Sequence, residues 1–256
     1  MDVLLKKIDL YKEQLDHCRP FEPPMLEQLR DYYRIGLTYA SNALEGNTLT
    51  ISETKVVLED GITVGGKPLR DVYEAVGHGE AYDHMFSLLH QKDITVNDIF
   101  ELHKLFYQRI DPQSAGCCRS HDVIVTGSTY TFPSPDELPE KLEELGIWMK
   151  EARYKLHPVE YAAWLHLLFV SIHPFADGNG RTARLAMNLA LIQRGYQMAV
   201  VPPVSRAEYL SAIARYQHRG DASVFCQFIA EQVLENERDM MRMLHIPLQQ
   251  AHAIEP

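Results

Sequence analysis

The stretch HPFADGNGR, residues 173–181, follows directly on an apolar run, HPVEYAAWLHLLFVSI at 157–172, and the junction between them decides how the chain is read. The run is apolar on nearly every side, the pattern of a central buried helix rather than a surface one. A new helical pattern starts near Asn179 to Arg181, so the nonapeptide is a tight helix–loop–helix turn. Its glycines let backbone approach a ligand, and the N–H groups that open the second helix have no partner within it. The helix dipole and Arg181 add positive potential, which makes the turn an anion hole with phosphate as the obvious guest. Asp177 is a hard oxygen donor suited to holding Mg²⁺ on such phosphates, and His173 titrates near neutrality and can take a proton from an attacking hydroxyl. Singly, each residue has a bland reading: histidine before proline is common in turns, and Asp-Gly-Asn-Gly is ordinary turn chemistry. A mere turn, however, does not require His, Asp and Arg together with two glycines and an asparagine. The set reads as a phosphoryl-type transfer site, where positioning and charge stabilisation supply most of the catalysis.

Outward from this junction the periodicity is mostly helical. Leu26, Leu29, Tyr33 and Leu37 lay one apolar stripe along 25–44, and 51–60 reads as a helix ended by Gly61. Further helices are expected at 72–89, at 97–107 with Asn97 as cap, at 135–152 opened by Pro135-Asp136, and at 181–193, 206–216 and 224–243. One segment breaks the pattern. In VIVTGSTYTF, residues 123–132, two β-prone tetrads flank Gly127-Ser128, a two-residue hairpin signal. A lone ribbon is marginal and must lie on the helical body; its outer edge either accepts an extended peptide or remains a bare surface. The expected architecture is all-α with one small β-hairpin.

A chain of 256 residues can bury one sizeable core or at most two modest ones. Its net charge of −10 argues against a nucleic-acid surface, so any anionic ligand must be held locally. Cys18, Cys117, Cys118 and Cys226 lack zinc-type spacing and do not resemble a secreted disulfide framework, which points to reduced thiols and a cytoplasmic protein. MDVLLKKIDLYKEQ at the start breaks every apolar run with charge, unlike a signal peptide, and no stretch approaches a membrane span.

Residues 173–184, HPFADGNGRTAR, fill every defining position of the motif H-P-F-x-D/E-G-N-G-R-x-x-R, and in this the chain resembles the Fic family. The similarity extends over roughly 70–235, through GKPLRDVYEAVGH, the hairpin with its Pro-rich exit, and GYQMAVVPPVSRAEYLSAI. It implies an N-terminal helical region at 1–69, an all-α Fic-type core at 70–235 with the hairpin as a flap, and a helical extension at 236–256. It also implies transfer of AMP from ATP to a Ser, Thr or Tyr hydroxyl of a target protein. By the same resemblance His173 is the general base, Asp177 the Mg²⁺ ligand, and Gly178, Asn179, Gly180 and Arg181 the phosphate-binding groups. Arg184 would hold the γ-phosphate, Tyr209 and Gln217 would contact the nucleoside, and Val125, Thr126, Gly127 and Ser128 would align the target. Self-modification at a Tyr or Ser, and a homodimer, are left open by the family likeness; no nucleic-acid or membrane partner is expected. Glycine at position 180 matches the nucleotidyl-transferring relatives, whereas the phosphotransferases carry lysine there.

A second stretch, SNALEGN at 41–47, resembles the family's inhibitory motif S/T-x-x-x-E-G/N, with Ser41, Glu45 and Gly46 in its defining places. Glu45 stands near the carboxyl end of a helix, where the dipole disfavours an anion, and Gly46 can stop that helix. Such a glutamate needs a cation. Arg184 lies one turn after Arg181 on the same helical face, and a Glu45–Arg184 pair would occupy the guanidinium meant for the γ-phosphate. The resulting expectation is an autoinhibited protein adenylyltransferase. Two alternatives stand beside it: a de-AMPylase in which Glu45 activates water, and a non-enzymatic ATP sensor. A DNA-binding regulator is the weakest reading, since nothing after about residue 244 is long enough for a winged helix.

Overall fold

The computed structural model describes residues 1–247, so the last part of the expected 236–256 extension lies outside the described residues. Among those described it holds ten α-helices and no strand. In chain order these are α1 (Asp2–Asp16), α2 (Pro23–Ala43), α3 (Ile51–Lys55), α4 (Leu69–Ser87) and α5 (Val96–Tyr107), followed by α6 (Leu138–Ala152), α7 (Pro158–Ile172), α8 (Asn179–Ile192), α9 (Arg206–Arg219) and α10 (Ser223–Met243).

The all-round apolar run forms α7, and it is apolar because it is surrounded: α8 packs along it most extensively, with α10, α6 and α9 on its other sides. Leu165, Leu167 and Phe169 of α7 and Leu185, Met187 and Leu189 of α8 have no exposed surface. Fully burying a side chain of this kind stabilises by about 1.5–3 kcal/mol, so the α7–α8 pair is the rigid platform on which the loop between them stands. On the far side of α8, α4 and α5 approach closely at Gly77, where an added Cβ would fall 2.1 Å from the Phe106 carbonyl oxygen. At the other end of the chain, Leu5, Ile8, Tyr11 and Leu15 form the buried stripe of α1 and lie on α10. The charges that interrupt that segment occupy its outer face.

Two local expectations differ from what is found. The cap of α5 is Thr95 rather than Asn97: the Thr95 hydroxyl accepts from the Asp98 N–H while the Asp98 carboxylate accepts from the Thr95 N–H, a reciprocal box that Asn97 cannot form. The β-hairpin at 123–132 is also absent. The turn is present, with the Ser128 N–H donating to the Val125 carbonyl at 3.0 Å and Gly127 at φ 83°, but the two arms form no ladder. A two-stranded ribbon has too few cross-strand contacts to persist without a third strand, and the arms are tethered separately instead. Thr129 and Tyr130 lie against His218 of α9, while Ile124 on the other arm is 96% exposed. No helix among the described residues is long and apolar enough to cross a membrane, and all four cysteines are free thiols.

Candidate active site

The loop between α7 and α8 is fixed by its own side chains. Asn179, 2% exposed, accepts from the Phe175 N–H at 3.0 Å through Oδ1 and donates to the Phe175 carbonyl at 2.8 Å through Nδ2. His103 of α5 stacks on Phe175 with ring centroids 3.6 Å apart. Its Nδ1 accepts from the Gly116 N–H at 2.9 Å, which leaves Nε2–H to donate to the Asp177 carbonyl at 3.0 Å. Burial pulls the His103 pKa down to about 4, so it stays a neutral strut. Gly178 sits at φ 81° with Phe106 against it, and no side chain would fit there. The N–H groups of the first turn of α8 consequently point away from the helix, as they do at any helix start.

His173 is the C-cap of α7, in the left-handed region at φ 54° and ψ 57°. Its Nδ1 lies 3.2 Å from the Val170 carbonyl, which can only accept, so the proton sits on Nδ1 and Nε2 is the free base. Burial holds its pKa below the ordinary histidine value, with the Val170 contact pulling the other way.

Arg184, 1% exposed, has every guanidinium nitrogen engaged. Nε donates to Ser41 Oγ at 3.0 Å and Nη1 to the Tyr209 hydroxyl at 3.0 Å; Nη2 donates to the Ser41 carbonyl and to Glu45 Oε1, both at 2.8 Å. Tyr209 in turn meets His166 Nε2 at 2.7 Å. Glu45 itself follows α2 in a turn closed by Gly46 at φ 96°. Burial raises its pKa, but Arg184 and then Arg181 outweigh that and hold it below the usual carboxylate value. Its side chain keeps 36% exposure because it lines an open cavity. The turn is anchored from two directions. Arg206 Nε donates to the Leu44 carbonyl at 2.7 Å, and Asn47 donates to Glu74 Oε2 at 2.9 Å while the Thr48 N–H and hydroxyl reach Asp71.

That cavity has a volume of about 350 Å³. It brings together Glu45, the Val125–Ser128 turn, His173, Gly180, Arg184, Tyr209 and Gln217, residues drawn from both ends of the sequence. Gly180 is the floor under the glutamate: an added Cβ would lie 2.5 Å from Glu45 Oε1. Asp177 and Arg181 face a different neighbourhood. Arg181 pairs with Glu74 at 2.8 Å and with Asp177 at 3.1 Å, its guanidinium over the Phe106 ring. The other Asp177 oxygen accepts from Arg70 at 2.5 Å and from the Tyr107 hydroxyl at 3.3 Å. Burial raises the Asp177 pKa, but Arg181, the Gly178 N–H and Arg70 together hold it below the ordinary value.

Several residues of this site carry no signal in the sequence. Arg70 and Glu74 fall inside GKPLRDVYEAVGH, where only their i,i+4 spacing hints at a pair. Tyr107, His103, Arg119 and Arg206 act on partners tens of residues away and have no local pattern.

Comparison with known proteins gives the family to which this fold is similar. A family model described as Fic/DOC family matches residues 93–191. The chain is 36% identical over 230 residues to "Protein adenylyltransferase Fic" of Nematostella vectensis, an alignment that covers 89% of this chain and 53% of that protein. Among solved structures it matches a Fic-1 fragment from C. elegans with TM-score 0.85 and 28% identity, covering 94% of this chain and 72% of that one. A Fic domain containing signaling protein from Bacteroides thetaiotaomicron matches with TM-score 0.83 and 27% identity, covering 96% of this chain and 100% of the other. A helical platform of this kind, with its loop at the start of α8, is a Fic domain. The chain belongs to the Fic/DOC family. It spans about half the length of the curated Nematostella relative.

Proposed function

We propose that this protein is an autoinhibited protein adenylyltransferase, in which residues 70–235 form the catalytic body and the arm at 1–69 carries the inhibitor Glu45. The observation that carries the reading is the Glu45–Arg184 pair at 2.8 Å inside a cavity rimmed by His173 and the 125–128 turn. A guanidinium buried at the second turn of a helix whose first turn offers free N–H groups suits a polyphosphate, with the outermost phosphate on Arg184. With Glu45 seated there, the triphosphate cannot lie along the helix start in a reactive pose. Once Glu45 withdraws, His173 Nε2 takes the proton of a target hydroxyl. That oxygen forms a bond to the α-phosphorus, the bond between the α-phosphorus and the β-bridging oxygen breaks, and pyrophosphate leaves.

Mg²⁺ fits the residues present. The described residues contain no cluster of three or more carboxylate, histidine or cysteine ligands, but Mg²⁺ beside phosphates takes one or two carboxylates and completes its shell with phosphate oxygens and water. Asp177 is such a carboxylate, and the Arg70 side chain that meets it is 54% exposed. Bound there, the ion would neutralise phosphate charge.

Named relatives are protein adenylyltransferases, which favours this direction of the chemistry. The test is labelling of a whole lysate with radiolabelled ATP. Glu45→Gly should raise AMP incorporation by at least about tenfold over the parent, since a charge-assisted contact of about 1.5–3 kcal/mol is removed, and Glu45→Gly with His173→Ala should abolish it. No incorporation by the Glu45→Gly protein, together with Glu45-dependent release of AMP from a modified target, would shift the assignment to the reverse reaction.

A further inference from the structure

We propose that Arg119 is a positioning residue of this site: one buried guanidinium that ties both roots of the 122–132 flap to the backbone of the base, His173. The inference rests on the transfer chemistry proposed above. Arg119 is 4% exposed. Its Nε donates to the His173 carbonyl at 2.9 Å, its Nη1 to the His121 carbonyl at 2.9 Å and its Nη2 to the Pro133 carbonyl; its own N–H donates to the Pro174 carbonyl at 2.9 Å. His121 and Pro133 are the two places where the flap leaves and rejoins the body.

All three side-chain acceptors are main-chain oxygens, so what the guanidinium fixes is backbone position. Its planar fork presents donors in fixed directions, whereas a lysine in the same place carries the charge on a single flexible nitrogen and cannot span three diverging carbonyls. One of those carbonyls belongs to a residue held at φ 54°, a conformation that a non-glycine residue keeps only when its surroundings over-determine it. The neighbour of Pro133 closes the circuit: the Phe132 ring lies against the His173 imidazole with centroids 4.5 Å apart. Flap root and base therefore share one anchor. A target segment laid on the flap must bring its hydroxyl within hydrogen-bond reach of Nε2, and an error of about 1 Å in such a distance costs about 100-fold in rate. Since the flap has no ladder of its own, Arg119 sets that distance.

Arg119→Lys in the Glu45→Gly background tests this, with three readouts on the full chain. Amide exchange over 122–132 should rise on the order of tenfold while exchange in α7 and α8 is unchanged. Affinity for Mg·ATP by calorimetry should stay within about twofold. Incorporation of AMP into lysate protein should fall about 100-fold in kcat without a matching change in KM for ATP. Unchanged flap exchange or an unchanged rate would overturn the proposal, and so would a uniform rise of exchange across α7 and α8, which would mean that Arg119 only supports the fold. Phe132→Leu, which leaves the guanidinium contacts in place, should slow incorporation with flap exchange at the parent level; the parent rate in that variant would remove the link through the ring. A silent Glu45→Gly parent would refute the transfer chemistry alone, because the exchange experiment still decides whether Arg119 holds the flap.

Discussion

His173 combines a strained backbone with a neutral ring. The left-handed conformation costs of order 1–3 kcal/mol for a residue with a β-carbon, and Phe175, Asn179 and Arg119 are what hold the loop in it. Its chemistry is set by burial, which lowers the pKa; Glu45 is among the groups that raise it. In the proposed role of base His173 works only when deprotonated, so activity should be present above its pKa and lost as pH falls through it. In the Glu45→Gly protein at saturating Mg·ATP, incorporation should be flat from alkaline pH through neutrality and decline only below the ordinary histidine value of about 6.5. An inflection at or above that value would mean the imidazole is stabilised as a cation. These site residues were legible because the chemistry confines them to twelve consecutive positions. Gly180 was expected from the family likeness to leave room for phosphates; what the cavity shows is that its absent β-carbon gives Glu45 its seat. Arg119 was not legible, because a side chain that serves distant backbone leaves no periodicity behind, and the spacing of Arg70 hints at Glu74 but not at the remote Asp177.

At the scale of elements, the site depends on how closely α4, α5 and α8 approach one another. Arg181 of α8 reaches Glu74 of α4, and Arg70 of α4 reaches Asp177 at the mouth of α8. Gly77 is a point of close approach between α4 and α5, and its missing Cβ would meet backbone rather than a movable side chain. Gly77→Ala should therefore destabilise by about 1–3 kcal/mol, as overpacking does, and lower the melting temperature measured by calorimetry; a variant that melts with the parent would mean the helices separate freely. The helices themselves could be read from periodicity because each needs only its own stripe of apolar residues. The flap could not. VIVTGSTYTF has β-prone residues and a real turn at Gly127-Ser128, but a ladder is a cooperative property of neighbouring strands, and no third strand is near. The α5 cap shows a smaller version of the same limit, since Thr95 and Asn97 both suit the role and only the reciprocal contact with Asp98 separates them.

Among the described residues the main core runs from Leu5 of α1 to Met241 of α10, beside a small second cluster of Leu49, Val57, Val72 and Ala75, and the two ends of the described chain are packed on each other. Glu237 is buried in that contact, and among the described residues neither of its carboxyl oxygens has a partner. Burial and then Asp9 push its pKa up to about 9, with Lys12 and Arg19 opposing. The folded state then holds a proton that the unfolded state releases above about pH 4.3, so stability falls as pH rises across that window until the folded value is passed. Glu237→Gln should flatten this dependence and stabilise the protein at pH 8 by on the order of 1–3 kcal/mol, measured by denaturant titration at pH 5 and pH 8; an unaltered slope would place the dependence elsewhere. The grip of Arg206 on the Leu44 carbonyl has a consequence at this scale as well. Arg206 opens the same helix that presents Tyr209 to Arg184 and Gln217 to the cavity. Under the proposed function, a diffusible anion and the internal glutamate would be rivals for one guanidinium, Arg184, and the helix that carries Tyr209 also holds the glutamate's turn through Arg206. Thermodynamic reciprocity then fixes the exchange rate between them: whatever factor the loss of the acid adds to the anion's affinity, the anion must subtract from the hold on residues 44–48.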